Sequence, residues 1–474
     1  MSTALFDFPL PAELVLEIFE FLPVNDLKAL SVCSKAYRAA VLPTLFREVR
    51  ISPDSLPAFL DGGSLAHICP SVRHASFTRL EKSRFVETVN RCRIYTNALS
   101  GGLFPLLTSL HVSLYVPLRF PRVEVHMLIA IFSRLATAEF YNRLKILYLQ
   151  VLPQDVEKAI THEQLLKDTL DEENRRFLDD RVECHGLGEL ESDEDEGQSV
   201  NALLAKLRPP PALEELLITA DTVRFRAPSI RHDLTFAEWL VRCCAPNLRR
   251  LELCMDKVGT PKNTPVLRRY LAMPDHLVFP RVTKLRLDVS SFKRRHLTDL
   301  AARFPCLEEL AVHVWSGYVI RYNRKIVVMQ HIVGFGKNLK KVTMPWPEEW
   351  QLTRENTYRW HLRKSVERWI AAGLTGLQEV EFLLKIGELD EDYVKFVVNG
   401  DGQVVEQKHG RRRMGKFPKV PALKYVASLF GKSDEESLEH EETEVNDEEQ
   451  EGELVAGDEE EDLEAGWSDW ARED

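Results

Sequence analysis

The pattern that most constrains this chain is a recurring aliphatic spacing, L-x-x-L-x-L. It reads Leu107, Leu110, Val112; Leu144, Leu147, Leu149; Leu213, Leu216, Ile218; Leu248, Leu251, Leu253; Val282, Leu285, Leu287; Leu307, Leu310, Val312; Leu339, Val342, Met344; and Leu377, Val380, Phe382. A weaker copy at Val72, Ala75 and Phe77 precedes them. Successive copies start roughly 25 to 38 residues apart, except for one gap of about 69, and repetition on this scale is the mark of a stacked array. Each copy predicts a short strand whose second and third template positions point inward, because side chains alternate along a strand. The residues between copies supply covering helices, expected over Glu124–Leu135, Thr235–Cys244, Leu297–Phe304 and Tyr358–Ala372 from their apolar spacing.

A different pattern precedes the array. Pro11 and Glu13 suit the first turn of a helix, which runs to about Phe21. Phe21, Leu14, Ile18, Pro11, Leu22, Val15, Phe19 and Leu16 cover about 220° of its circumference, and Glu13, Glu17 and Glu20 about 60°. That arc is wider than one packing surface. Pro23 stops the helix, Asn25 or Asp26 offers a cap for a second one through Leu27 and Leu30, and Ser34 starts a third that Pro43 ends. Three helices in so short a stretch enclose little core, so a partner is expected to cover the excess.

Leu10, Pro11, Glu13, Leu14, Leu16, Ile18, Phe19, Leu22, Leu27, Leu30, Ser31, Tyr37, Leu45 and Phe46 stand in an order that closely resembles an F-box. Tyr37 replaces the Trp of many members, and Val32-Cys33 falls one residue early. The array resembles the leucine-rich repeats that follow the F-box in many members, including fungal ones. It is degenerate, since the position of the usual Asn or Cys is held by Tyr115, Leu152, Asp221, Asp256, Ser290, Trp315, Pro347 and Lys385. The resemblance implies an α+β chain: a three-helix F-box at 6–50, then an irregular α/β leucine-rich-repeat-like solenoid at 51–400.

Further, it implies docking on the adaptor Skp1, expected through Leu10, Pro11, Leu14, Ile18, Leu22 and Leu27, and through Skp1 on cullin and RING subunits of a ubiquitin ligase. A protein substrate, unidentified, is then expected on the solenoid. Trp315, Tyr318, Arg321 and Tyr322, with Trp346, Trp350 and Trp360, are candidates for that surface because Trp, Tyr and Arg are enriched at binding hot spots. Core positions are an equal expectation for several of these Trp residues.

Charge divides the rest. Residues 433–474 hold 21 Asp and Glu against one Arg, leaving 61 basic and 52 acidic residues elsewhere in a chain of net charge -11. An acidic tail too polar to repay its ordering is expected to be disordered, and Trp467 and Trp470, at i, i+3 spacing, are open to two readings, part of that plain disorder or a short docking motif. An acidic insertion is expected at about 155–200, and a terminal hairpin with the basic run Lys408–Lys419 at 401–432. The basic run is open to several readings: import signal, nucleic-acid contact, a dock for the tail, or plain solvated surface.

Eight cysteines without CxxC or zinc spacing read as reduced thiols. Neither a membrane-spanning run nor a signal-type leader is found, and nucleic acid is not the expected partner. No P-loop, dinucleotide fingerprint, nucleophile elbow or HExxH occurs, so no catalytic residue, metal or cofactor is expected. Cytoplasm and nucleus both suit the chain. Two other readings stay open: a Skp1-binding scaffold outside any ligase, and an acidic-tailed nuclear protein that binds basic partners.

Overall fold

The computed structural model describes residues 12–52, 54–77, 85–117, 121–154, 204–220, 236–255, 277–289, 294–314, 332–345, 355–385 and 390–413. The insertion at about 155–200 and the tail at 433–474 lie outside the described residues.

Three helices come first: α1 (Ala12–Phe21), α2 (Val24–Cys33) and α3 (Lys35–Leu45). Ser34 caps α3, its side chain accepting from the Tyr37 amide, as expected. Two local expectations are corrected. Neither Asn25 nor Asp26 caps α2, whose N-cap is Pro23 with no side-chain bond; both sit in the first turn, where Asp26 still favours the positive end of the helix. Nor does Pro43 end α3, which runs on to Leu45. A proline so near a helix end forfeits little, and burying Leu45 and Phe46 offsets that loss.

The rest is one twelve-stranded sheet in sequence order. The strands are β1 (Glu48–Ile51), β2 (His74–Phe77), β3 (Ser109–Pro117), β4 (Ile146–Gln154), β5 (Glu215–Ala220), β6 (Arg250–Met255), β7 (Lys284–Val289), β8 (Glu309–Val314), β9 (Lys341–Pro345), β10 (Glu379–Lys385), β11 (Asp390–Val398) and β12 (Val404–Arg413). β1 to β10 run parallel; β11 and β12 pair antiparallel. The described helices between strands are α4 (Leu56–Phe59), α5 (Phe85–Ser100), α6 (Pro121–Leu135), α7 (Phe236–Cys244), α8 (Arg294–Arg303) and α9 (Glu355–Ala371).

Aliphatic spacing and strand register coincide. Ala75 pairs with Leu110, Leu110 with Leu147, Leu147 with Leu216, Leu216 with Leu251, Leu251 with Leu285 and Leu285 with Leu310. Every residue of all nine template copies is buried. A slip of one residue would turn each strand's aliphatic pair to the other face, which is why this spacing specifies register.

The structure adds one copy that the spacing did not reveal: Phe46, Val49 and Ile51, all buried, with Val49 opposite Ala75 and Ile51 opposite Phe77. Phe46 thus closes the helical module and opens the array, and the expected boundary between 50 and 51 falls inside β1. Its aromatic first position and its overlap with the helical motif hid it.

In place of an Asn ladder, backbone groups join successive copies. The Arg73 carbonyl accepts from the amides of Thr108 and Ser109, that of Thr108 from Lys145 and Ile146, and that of Lys145 from Glu214 and Glu215. The same two-donor pattern continues through Glu214, Arg249, Thr283, Glu308 and Lys340. Tyr115 and Leu152, expected in turns, are still within β3 and β4.

Aromatic pairs fill the core: Phe77 with Tyr95 and Phe382 with Trp369 between strand and helix, Phe132 with Phe236 between α6 and α7, and Phe279 with Phe304. Among the described residues no helix is long and apolar enough to cross a membrane.

Candidate partner-docking face

Helix α1 splits its wide apolar arc in two. Val15 and Phe19 turn inward, 5% and 3% exposed, and belong to the same core as Leu27, Val41 and Leu45. Leu14, Leu16 and Ile18 stay 45%, 44% and 45% exposed, and Phe21 87%. At helical spacing Leu14, Ile18 and Phe21 form one line at i, i+4 and i+7, beside the buried line of Val15, Phe19 and the half-buried Leu22. Leu16 lies on the far flank of that buried line. On α2, Val32 is 73% exposed.

Such a cluster is costly to leave in water. At about 25 cal/mol per Å² of apolar surface, covering these side chains would contribute several kcal/mol to an association. The neighbouring charges are few: Glu17 and Glu20 are exposed, and Glu20 holds Arg47 through a 2.7 Å ion pair. That pair ties the end of α1 to the residue just before β1, so the helix is braced while its outer line is uncovered.

Of the residues expected to meet Skp1, Leu14 and Ile18 are exposed, Leu22 is half-buried, and Leu27 is fully buried in the chain's own core. Leu10 and Pro11 lie outside the described residues. Leu16, Phe21 and Val32 join the exposed set without having been singled out. The excess width of the arc was the signal for the first two; nothing in the local sequence marked Val32.

The proposed substrate residues Trp315, Tyr318, Arg321, Tyr322, Trp346 and Trp350 lie outside the described residues. Trp360, on α9, is 54% exposed, with Lys364 Nζ 5.9 Å from its ring centre. Trp239 and Trp369 are core.

On the sheet face opposite the aliphatic core lies a polar row. Ser76, His111 and Tyr148 occupy matching positions on β2, β3 and β4, the His111 ring 4.3 Å from that of Tyr148. Burial, reinforced by the Arg50 charge, pushes the His111 pKa down to about 3. Further along, Arg250 lies 2.5 Å from Glu252 and 3.3 Å from Glu215, and Lys284 3.1 Å from Glu309. Burial opposes the Arg250 charge, but Glu252 and Glu215 outweigh it and hold the guanidinium more firmly protonated than usual.

Thiols offer no activated nucleophile where the titration is displaced: burial pushes Cys92 and Cys244 up to about 12, away from thiolate. Among the described residues no group of His, Cys, Asp or Glu could hold a metal ion.

The three-helix module buries one line of its first helix and exposes the next. The F-box domain matches residues 9–45, a stretch that takes in α1, α2 and α3, and the chain therefore carries an F-box. F-box domains generally bind Skp1 within SCF complexes, and F-box proteins are generally non-catalytic adaptors. No curated protein matches the chain.

Proposed function

We propose that this chain is the substrate-recognition subunit of an SCF-type E3 ubiquitin ligase. The observation that carries the reading is the F-box at 9–45 with Leu14, Ile18 and Phe21 lined up and uncovered on its first helix. Skp1 covers that line, together with Leu10 and Pro11, while Leu22 and Leu27 hold the module's shape from behind. Cullin and RING subunits follow through Skp1. The sequential sheet acts as a degenerate leucine-rich-repeat solenoid and holds a target protein, so that ubiquitin transfer occurs at high effective concentration. The chain itself contributes position and not chemistry, and it works in the cytoplasm, the nucleus or both.

The test is purification of the full chain with and without the pair Leu14→Asp and Ile18→Asp, probing for Skp1 and cullin. Both positions are exposed, so the fold survives. Skp1 and cullin are expected with the unaltered chain and neither with the variant. Equal Skp1 recovery would remove the docking claim; Skp1 without cullin would leave a scaffold in place of a ligase subunit.

A further inference from the structure

We propose that the helical module is also the N-terminal cap of the array, and that a partner docked on α1 therefore steadies the first strands as well as the helices. The first half concerns the chain alone; the second rests on the Skp1 reading above.

No hinge separates the two parts. α3 ends at Leu45 and β1 begins at Glu48, and both residues between them are engaged. The Phe46 amide donates to the Leu42 carbonyl at 2.9 Å and the Arg47 amide to that of Thr44 at 3.4 Å, which carries helical bonding into the joint. The Arg47 carbonyl then accepts from the amides of Arg73 and His74 at 2.8 and 3.0 Å, the same two-donor rung that joins the later copies. The first rung of the array is thus supplied from the end of the helical module, and Arg47 Nη1 also holds Glu20 of α1 at 2.7 Å.

The end of a stacked array is otherwise wet, because its outermost layer has no neighbouring copy to cover it. β1 is that end and pairs with β2 alone among the described residues, yet its Val49 and Ile51 are buried. Helix α3 lies against the short 3-10 helix Ala66–Ser71 that leads into β2. Val41 and Leu45 of α3 belong to one continuous core with Phe46, Ile51, Ile68 and Phe77. Loss of the helices therefore exposes the layer against which β2 is registered. A ligand that binds only the ordered helices stabilises whatever opens together with them. Skp1 on the line of Leu14, Ile18 and Phe21 thus slows the opening of β1 and β2.

Amide hydrogen exchange on the full chain tests both halves, read on peptides that cover α1 to α3 and, separately, on one that contains His74–Phe77 of β2. Phe19→Leu and Val15→Ala loosen α1 from its buried side. Each is expected to speed exchange in His74–Phe77 by about threefold or more, in step with the helices. Two variants of different severity keep this arm readable if one fails to fold, which circular dichroism reports. Saturating Skp1 on the unaltered chain is expected to slow exchange in the same strand by a similar factor.

Faster exchange in α1 to α3 with His74–Phe77 unchanged would overturn the cap, since the helices would then open by themselves. Protection by Skp1 confined to α1, α2 and α3 would overturn the second half. Failure of Skp1 to bind the unaltered chain would remove the docking reading and the second half with it, while the two variants still decide the cap.

Discussion

Ser76 and His111 share a 2.8 Å hydrogen bond between the Ser76 hydroxyl and Nδ1 of His111, across β2 and β3 on the sheet face opposite the aliphatic core. Both are buried, and a charged imidazole there would be poorly solvated.

A pH dependence follows from that burial. The native His111 takes a proton only near pH 3, whereas an unfolded histidine does so near 6.5. Between these values the unfolded chain holds more protons, so stability is full above pH 6.5 and falls as pH drops toward 3, by at most about 1.4 kcal/mol per unit from this group. Urea midpoints measured at pH 7, 5 and 4 are expected to fall less steeply in His111→Gln than in the unaltered chain.

The two lines of α1 are expected to respond oppositely to truncation. Phe19→Ala empties a buried site and is expected to cost about 3–5 kcal/mol, seen as a lower thermal midpoint. Leu14→Ala is expected to leave that midpoint within about 0.5 kcal/mol of the unaltered chain while weakening Skp1 binding in a titration.

Arg250 and Glu252 form a pair whose acidic side is nearly dry, 7% exposed against 31% for Arg250. Glu252 Oε2 has no hydrogen-bond partner among the described residues, and Arg286 stands opposite Glu252 on β7. Arg250→Ala removes the cation bound to Glu252 Oε1 and is expected to cost about 1–3 kcal/mol in a urea titration, with Arg286 opposite limiting the loss, whereas Arg250→Met with Glu252→Leu is expected to cost less.

Gly376 precedes β10 where the chain passes the preceding copy. A Cβ there would lie 2.0 Å from the Lys337 carbonyl oxygen, so Gly376→Ala is expected to lower the thermal midpoint by the equivalent of about 1–3 kcal/mol. Gly400→Ala, with nothing within 4 Å of the new methyl, is expected to be neutral by the same measurement.

The array's register was legible from Leu110, Leu147, Leu216 and their counterparts because alternation in a strand is a local property that survives without knowledge of neighbours. Four covering helices were legible for a similar reason, each expected span falling within a residue or a turn of α6, α7, α8 and α9, whereas α5 (Phe85–Ser100) was not among the expected spans. Strand length was not: β3 runs on to Pro117 because it ladders with β4 as far as Gln154, and pairing partners are invisible along a single chain. The candidate hot spots fared differently again. Trp360 and Trp369 share one helix and one residue type, yet one is exposed and the other packs on Phe382, a difference set by what lies across from each.

By itself, then, the sequence determined that α1 carries more apolar surface than its own module can cover and that nine aliphatic triplets would align in one sheet, since both depend only on spacing along the chain. Tertiary structure alone decided that Val15 and Phe19 go inward while Leu14, Ile18 and Phe21 remain outside, and that Phe46 serves the helices and the sheet together. Packing makes that choice because a helix can turn only one line of its apolar arc toward α3 and the core, and the neighbouring line is left for whatever arrives from outside.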